Sequence, residues 1–133
     1  MVELSETFQL ECDELDKDHQ KLVDMVNEIV EMLDGDQPET CKDKVREFVN
    51  FTKGHFSREE RFLSKMNYPD VAKHCKHHRQ LGEKMEHMIE FTDSVGDNEM
   101  ARESLKRELV FFVMDDVITT DLEFKGFIGD EAE

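Results

Sequence analysis

The stretch VREFVNFTKGHFSREERFLSKM, residues 45–66, decides the fold. Val45, Phe48, Thr52, His55, Glu59, Phe62 and Met66 step through it by threes and fours, the spacing of one helix face. Asn67-Tyr68-Pro69-Asp70 then breaks the run. Within that face the middle positions are not apolar: His55 and Glu59, four apart, occupy the stripe that should meet a core. A buried histidine or carboxylate costs several kcal/mol unless it is paired or bound to a metal, so this helix needs partners that bring the same chemistry.

The flanking segments supply them. His19, Leu22, Val26, Ile29 and Leu33 recur at helical spacing before Asp34-Gly35-Asp36-Gln37-Pro38. His74, His78, Leu81, Met85, Met88 or Ile89 and Thr92 form a third stripe, and Leu105, Leu109, Phe112, Asp116 and Val117 a fourth, which fades near Thr119–Phe127. With an irregular arm over residues 1–15, helices are expected at about 16–33, 39–66, 70–93 and 99–118. Four amphipathic helices joined by short connections predict an all-α, antiparallel up-down four-helix bundle that uses the whole 133-residue chain as one domain.

Charge narrows the function. The chain has 33 acidic against 17 basic residues, a net −16, which disfavours nucleic acid and anionic membranes. It lacks a secretory signal pattern at Met1–Leu10 and any apolar run long enough to span a bilayer, so a cytoplasmic location is expected. Cys12, Cys41 and Cys75 are odd in number and without CxxC spacing, which points to reduced thiols.

Every stripe carries an ionisable residue: His19; His55 and Glu59; His74 and His78; Asp116, with Asp121 just beyond. Four imidazoles with two or three carboxylates exceed one tetrahedral zinc. Mixed nitrogen and oxygen ligation in a bundle core suits two octahedral-type ions, iron first and manganese second. Joint occurrence on four stripes outweighs the ordinary reading of a single buried histidine as a hydrogen-bonded core residue. His77 and His87 lack that support and read as surface residues. Cys75 lies off the ligand face, and Glu60 beside Glu59 reads as a supporting or surface residue. Met25, Met32, Met66, Met85, Met88 and Met114, with Phe48, Phe56, Phe62 and Phe112, read as core packing.

The ordered motifs Asp16-Lys17-Asp18-His19-Gln20-Lys21-Leu22, His55-Phe56-Ser57-Arg58-Glu59-Glu60, and Tyr68-Pro69-Asp70 followed by His74-Cys75-Lys76-His77-His78 resemble the bacterial hemerythrin-like domains, over about Phe8–Phe127. The resemblance implies a four-helix bundle that binds dioxygen at a non-heme diiron centre, bridged by two carboxylates and an oxo or hydroxo oxygen. It implies that His19 and His55 hold the iron with the open site, that Glu59 and Asp121 bridge, and that His74 and His78 hold the other iron. In the family's last helix a Trp-Leu pair precedes a histidine by three residues, and an aspartate follows that histidine by five. Here Phe112-Val113-Met114-Asp115-Asp116-Val117-Ile118-Thr119-Thr120-Asp121 puts Asp116 where the fifth histidine belongs. Glu11 and Cys12 also replace a small and an apolar residue.

Two readings of Asp116 follow: an oxygen ligand in place of the imidazole, or a residue that leaves that iron to a water or weakens metal retention altogether. As a ligand it would stabilise the ferric state, lower the reduction potential and make the centre oxidise readily in air. An ideal helix also sets Asp121 roughly 140° around from Asp116, so either the helix shifts locally or the shorter side chains reach differently; Glu123, seven beyond Asp116 and on its face, is the alternative carboxylate, ranked below Asp121 because only Asp121 matches the family. The functional expectation is an oxygen-sensing or redox-sensing domain, with dioxygen as ligand and an output domain or signalling partner. Nothing in the sequence supplies a substrate pocket for organic chemistry, so no catalytic residue is assigned. A diiron enzyme acting on peroxide, nitric oxide or ferrous iron, and a metal-free interaction bundle, are the alternatives.

Overall fold

The computed structural model describes residues 13–96 and 98–124. Four helices carry the fold: α1 (Asp13–Asp34), α2 (Cys41–Lys65), α3 (Val71–Phe91) and α4 (Glu99–Phe111), the last continuing into a π-helical segment, Phe112–Thr119. α1 packs on α2 and α4, and α3 packs on the same two, so the short connections produce the expected up-down bundle. Among the described residues no helix is long and apolar enough to cross a membrane.

The connections show why the helices stop where they do. α2 ends with Asn67 at φ 59°, a left-handed position that asparagine tolerates. There the Tyr68 amide donates to the Leu63 carbonyl (3.0 Å) and the Asn67 amide to that of Ser64 (3.1 Å), satisfying carbonyls that the helix end would leave open. The Asn98 side chain caps α4 by accepting from the Ala101 amide at 3.1 Å. Thr52, polar on the inner face of α2, returns its hydroxyl to the Phe48 carbonyl at 2.7 Å.

The apolar interior is divided. A large cluster runs from Leu22, Val26 and Ile29 through Val45, Phe48, Met85, Leu105 and Phe112 to Ile118. A small one joins Leu15 and Leu63, with Phe62, Met66, Tyr68, Val71 and Leu122 packed against it. The expected core methionines and phenylalanines all belong to one cluster or the other. His19, His55, Glu59, His74, His78 and Asp121 are all buried, and on each chain segment they fall between a residue of the small cluster and residues of the large one.

Two boundaries differ from expectation. α1 is already helical at Asp13, so Leu15 is not part of an irregular arm; it stands four residues before His19 on the same face and is 1% exposed. Hydropathy alone sets the start at Asp16 because Leu15 is the single apolar residue between Asp13 and His19. The fourth helix changes type at Phe112 instead of continuing as α-helix to 118. The remaining arm, with Glu11 and Cys12, lies outside the described residues; Cys41 and Cys75 are free thiols.

Candidate metal centre

Six of the seven expected ligands converge. Two groups form, His19, His55, Glu59 and Asp121, and Glu59, His74, His78 and Asp121, each with one ligand atom per residue and those atoms within 4.8 Å of one another. The groups share their two carboxylates. Asp121 turns Oδ2 toward His19 Nε2 (2.8 Å) and His55 Nε2 (3.3 Å), and Oδ1 toward His74 Nε2 (3.3 Å). Glu59 turns Oε2 toward His55 Nε2 (3.0 Å) and Oε1 toward His78 Nε2 (3.1 Å), with His74 Nε2 in contact with that same oxygen. Each carboxylate thus offers one oxygen to each group.

The donor set fits a pair of cations. Glu59 Oε2 and His78 Nε2 are buried yet make no hydrogen bond, although each lies within ion-pair distance of a neighbour. Close approach without hydrogen-bond alignment is what ligand atoms show when they are gathered around a common point, and unpaired buried polar atoms are otherwise costly. Four imidazoles and two carboxylates are the donors that iron or manganese accept.

The outer ring nitrogens of His55 and His78 are held in turn, whereas His19 Nδ1 is buried without a hydrogen bond. His55 Nδ1 meets Asp18 Oδ2 at 3.0 Å, and the same oxygen accepts from Arg58 Nε at 2.8 Å. Gly54 leaves room for this arginine: a Cβ there would come within 3.2 Å of Arg58 Nη1. Glu60 Oε1 lies 3.3 Å from His78 Nδ1, the supporting role expected of it. Phe56 stacks on the His78 ring, centroids 3.9 Å apart and planes 7° from parallel. These contacts fix which nitrogen of the His55 and His78 rings faces inward. The roles of Asp18 and Arg58 were not read from the sequence, where both appeared only as motif neighbours of His19 and Glu59. Asp18→Ala is expected to weaken metal affinity by about 10- to 100-fold, measured by competition against a chelator; an unchanged affinity would dismiss this orienting role.

Asp116 is not brought to the centre. Its Oδ2 accepts from Lys84 Nζ at 2.7 Å, and its backbone carbonyl accepts from His77 Nε2 at 3.0 Å. An aspartate is shorter than the imidazole it replaces, and the Lys84 ammonium offers it a nearer cation. The geometry therefore holds two carboxylates, not three, and the expected lowering of the reduction potential by a third has no support in it. His77 is half-buried rather than a surface residue, because this bond draws it against the π segment. Glu123 is exposed, so Asp121 is the carboxylate that the fourth segment contributes. The local shift expected of this helix is the π segment itself. Its wider turns bond residues five apart, with Thr119 and Thr120 hydroxyls returning to the Met114 and Asp115 carbonyls at 2.7 and 3.2 Å. Asp121 emerges from it pointing inward, 1% exposed.

Without metal the centre is an ion-paired network. Burial alone would raise Asp121, but its hydrogen bonding with Glu59 and with the His19, His55 and His74 imidazoles holds its carboxyl well below the usual range. Burial opposes charge on His74 as well, yet Asp121 and Glu59 push its pKa to about 10. A histidine raised in the folded state contributes stability that is complete below its unfolded value of 6.5 and is lost as pH rises through about 10. The metal-free protein should therefore lose urea resistance progressively across that window. A midpoint that stays flat or rises there would count against the network. With metal bound the sign reverses, since protons compete for the same nitrogens and acid releases the ions.

The chain is thus a helical bundle whose core gathers four histidines around two shared carboxylates, a donor set that could hold metal ions. A family model described as the hemerythrin HHE cation-binding domain matches residues 12–118, most of the chain. The chain belongs to the hemerythrin family. Among curated proteins it is similar to the bacteriohemerythrin of Clostridium acetobutylicum, 29% identical over 83 residues, which cover 59% of this chain and 64% of that protein.

Proposed function

We propose that this chain is a non-heme diiron domain that binds dioxygen and reports oxygen or redox state. The observation that carries the reading is the sharing of Glu59 and Asp121 between two histidine pairs, with one oxygen of each carboxylate on each side. A single ion would leave one histidine pair unused, whereas two ions use every buried donor. Family membership supports iron as the metal, and the similar Clostridium protein is named for the same class. Two iron ions, when bound, supply the electrons that reduce dioxygen and the coordination position that receives it.

The chain's own residues do the rest. His19 and His55 from α1 and α2, and His74 and His78 from α3, hold opposite sides of the bridge. Asp18 and Glu60 keep His55 and His78 in one tautomer. The apolar clusters on either side exclude water, which limits proton access to whatever the centre binds. Sensing is supported by where Asp121 sits. It lies two residues beyond a π segment, a form of helix that is often found at functional sites, so a change at the bridge reaches the end of the bundle through that segment.

Iron and manganese quantitation, combined with absorption spectra of anaerobic, aerated and re-reduced protein, tests the reading. Two irons per chain, with bands of a bridged ferric pair that vanish on reduction, are expected. Fewer than two metal ions per chain would overturn it, and sustained oxygen or peroxide turnover in a steady-state assay would replace the sensor by an enzyme.

A further inference from the structure

The two halves of the centre are equivalent in donors although different helices build them. Each ion would receive two imidazole nitrogens and one oxygen from each of two carboxylates. An octahedral ion with these ligands and one bridging oxygen shared with its neighbour keeps one position free. That count is the same on both sides, because the one further fourth-segment carboxylate that lies against α3, the helix of His74 and His78, belongs to neither group. Asp116 is fixed from both ends by α3, its carboxylate by Lys84 and its carbonyl by His77. The same side of the centre is near solvent. His74 forms part of the wall of a surface cleft of about 350 Å³, whose charged lining sets Lys73 and Lys76 against Asp70 and Glu123.

Resting on the dimetal reading above, we propose that the ion held by His74 and His78 carries an exchangeable coordination position of its own, so that the loaded centre takes two small monodentate anions rather than one. The Lys84–Asp116 ion pair is the device that keeps this position open: it gives the carboxylate a partner other than the metal. A histidine at 116 would close the position, and an alanine would leave it as it is.

The test is a titration of the 133-residue chain, loaded with ferric iron and assayed for metal beforehand, with azide, followed by calorimetry and visible absorption. Two azides per centre are expected for the native chain and for Asp116→Ala, and one for Asp116→His. One azide in the native chain overturns the proposal. If Asp116→Ala then gains a second, the native Asp116 carboxylate occupies the metal; if it does not, the position is closed by something else. The native stoichiometry decides the matter even if a variant fails to fold. Protein that retains fewer than two irons overturns the dimetal reading and this inference together, whereas two irons with one azide overturn only the inference.

Discussion

Glu59→Gln is expected to abolish retention of both metal ions while leaving the helical bundle intact. Glu59 is fully buried and is the one α2 carboxylate whose two oxygens face different histidine pairs, so its loss removes a ligand from each ion at once. The amide keeps the shape and volume of the side chain but cannot bridge two cations as an anion. Its neighbour provides the contrast. Glu60 meets the centre at Nδ1 of His78, on its outside, so Glu60→Gln should lower affinity by about 10- to 100-fold without changing the stoichiometry. Metal content after gel filtration, read beside far-ultraviolet circular dichroism, distinguishes the two. Equal metal content in native protein and Glu59→Gln would show that this carboxylate does not bridge.

Phe48→Ala should destabilise the domain by about 3–5 kcal/mol. Phe48 is fully buried in the large cluster and meets Phe112 edge-on, ring centroids 6.0 Å apart and planes at 74°, so truncation empties the contact between α2 and the start of the π segment. A domain of this size has about 5–15 kcal/mol in all, and a loss on this scale leaves it near unfolding. Urea titration of metal-free protein should show a much lower midpoint with an unchanged slope, and metal should restore part of it because only the folded state binds the ions. A midpoint within experimental error of the native one would mean that the interior repacks around the gap.

The helices and most of the centre were legible because burial leaves a periodic trace. His55 and Glu59 stood out as polar residues at apolar positions, and His19, His74 and His78 did so at the same spacing on their own helices. Lone anomalies have ordinary explanations; a matched set on neighbouring faces does not. Asp18 and Arg58 left no such trace. Their work is to hold His55 from the rim of the core, where a charged residue is unremarkable. Leu15 was missed for a related reason, being a single apolar residue with no second member to set a phase.

Asp116 and Asp121 mark the boundary between the two levels of information. Periodicity and charge in the chain were enough for the four-helix class, the order of the helices, and the four histidines and one glutamate that form candidate ligands on regular helical stripes, because helical spacing and the cost of burying charge both act locally. Which carboxylate the last segment contributes, and which one it withholds, was decided only by tertiary structure. A change from α to π helix alters the direction of every side chain beyond it, and Lys84, 32 residues away in the chain, offers Asp116 an ammonium that no reading of the last helix alone would place there.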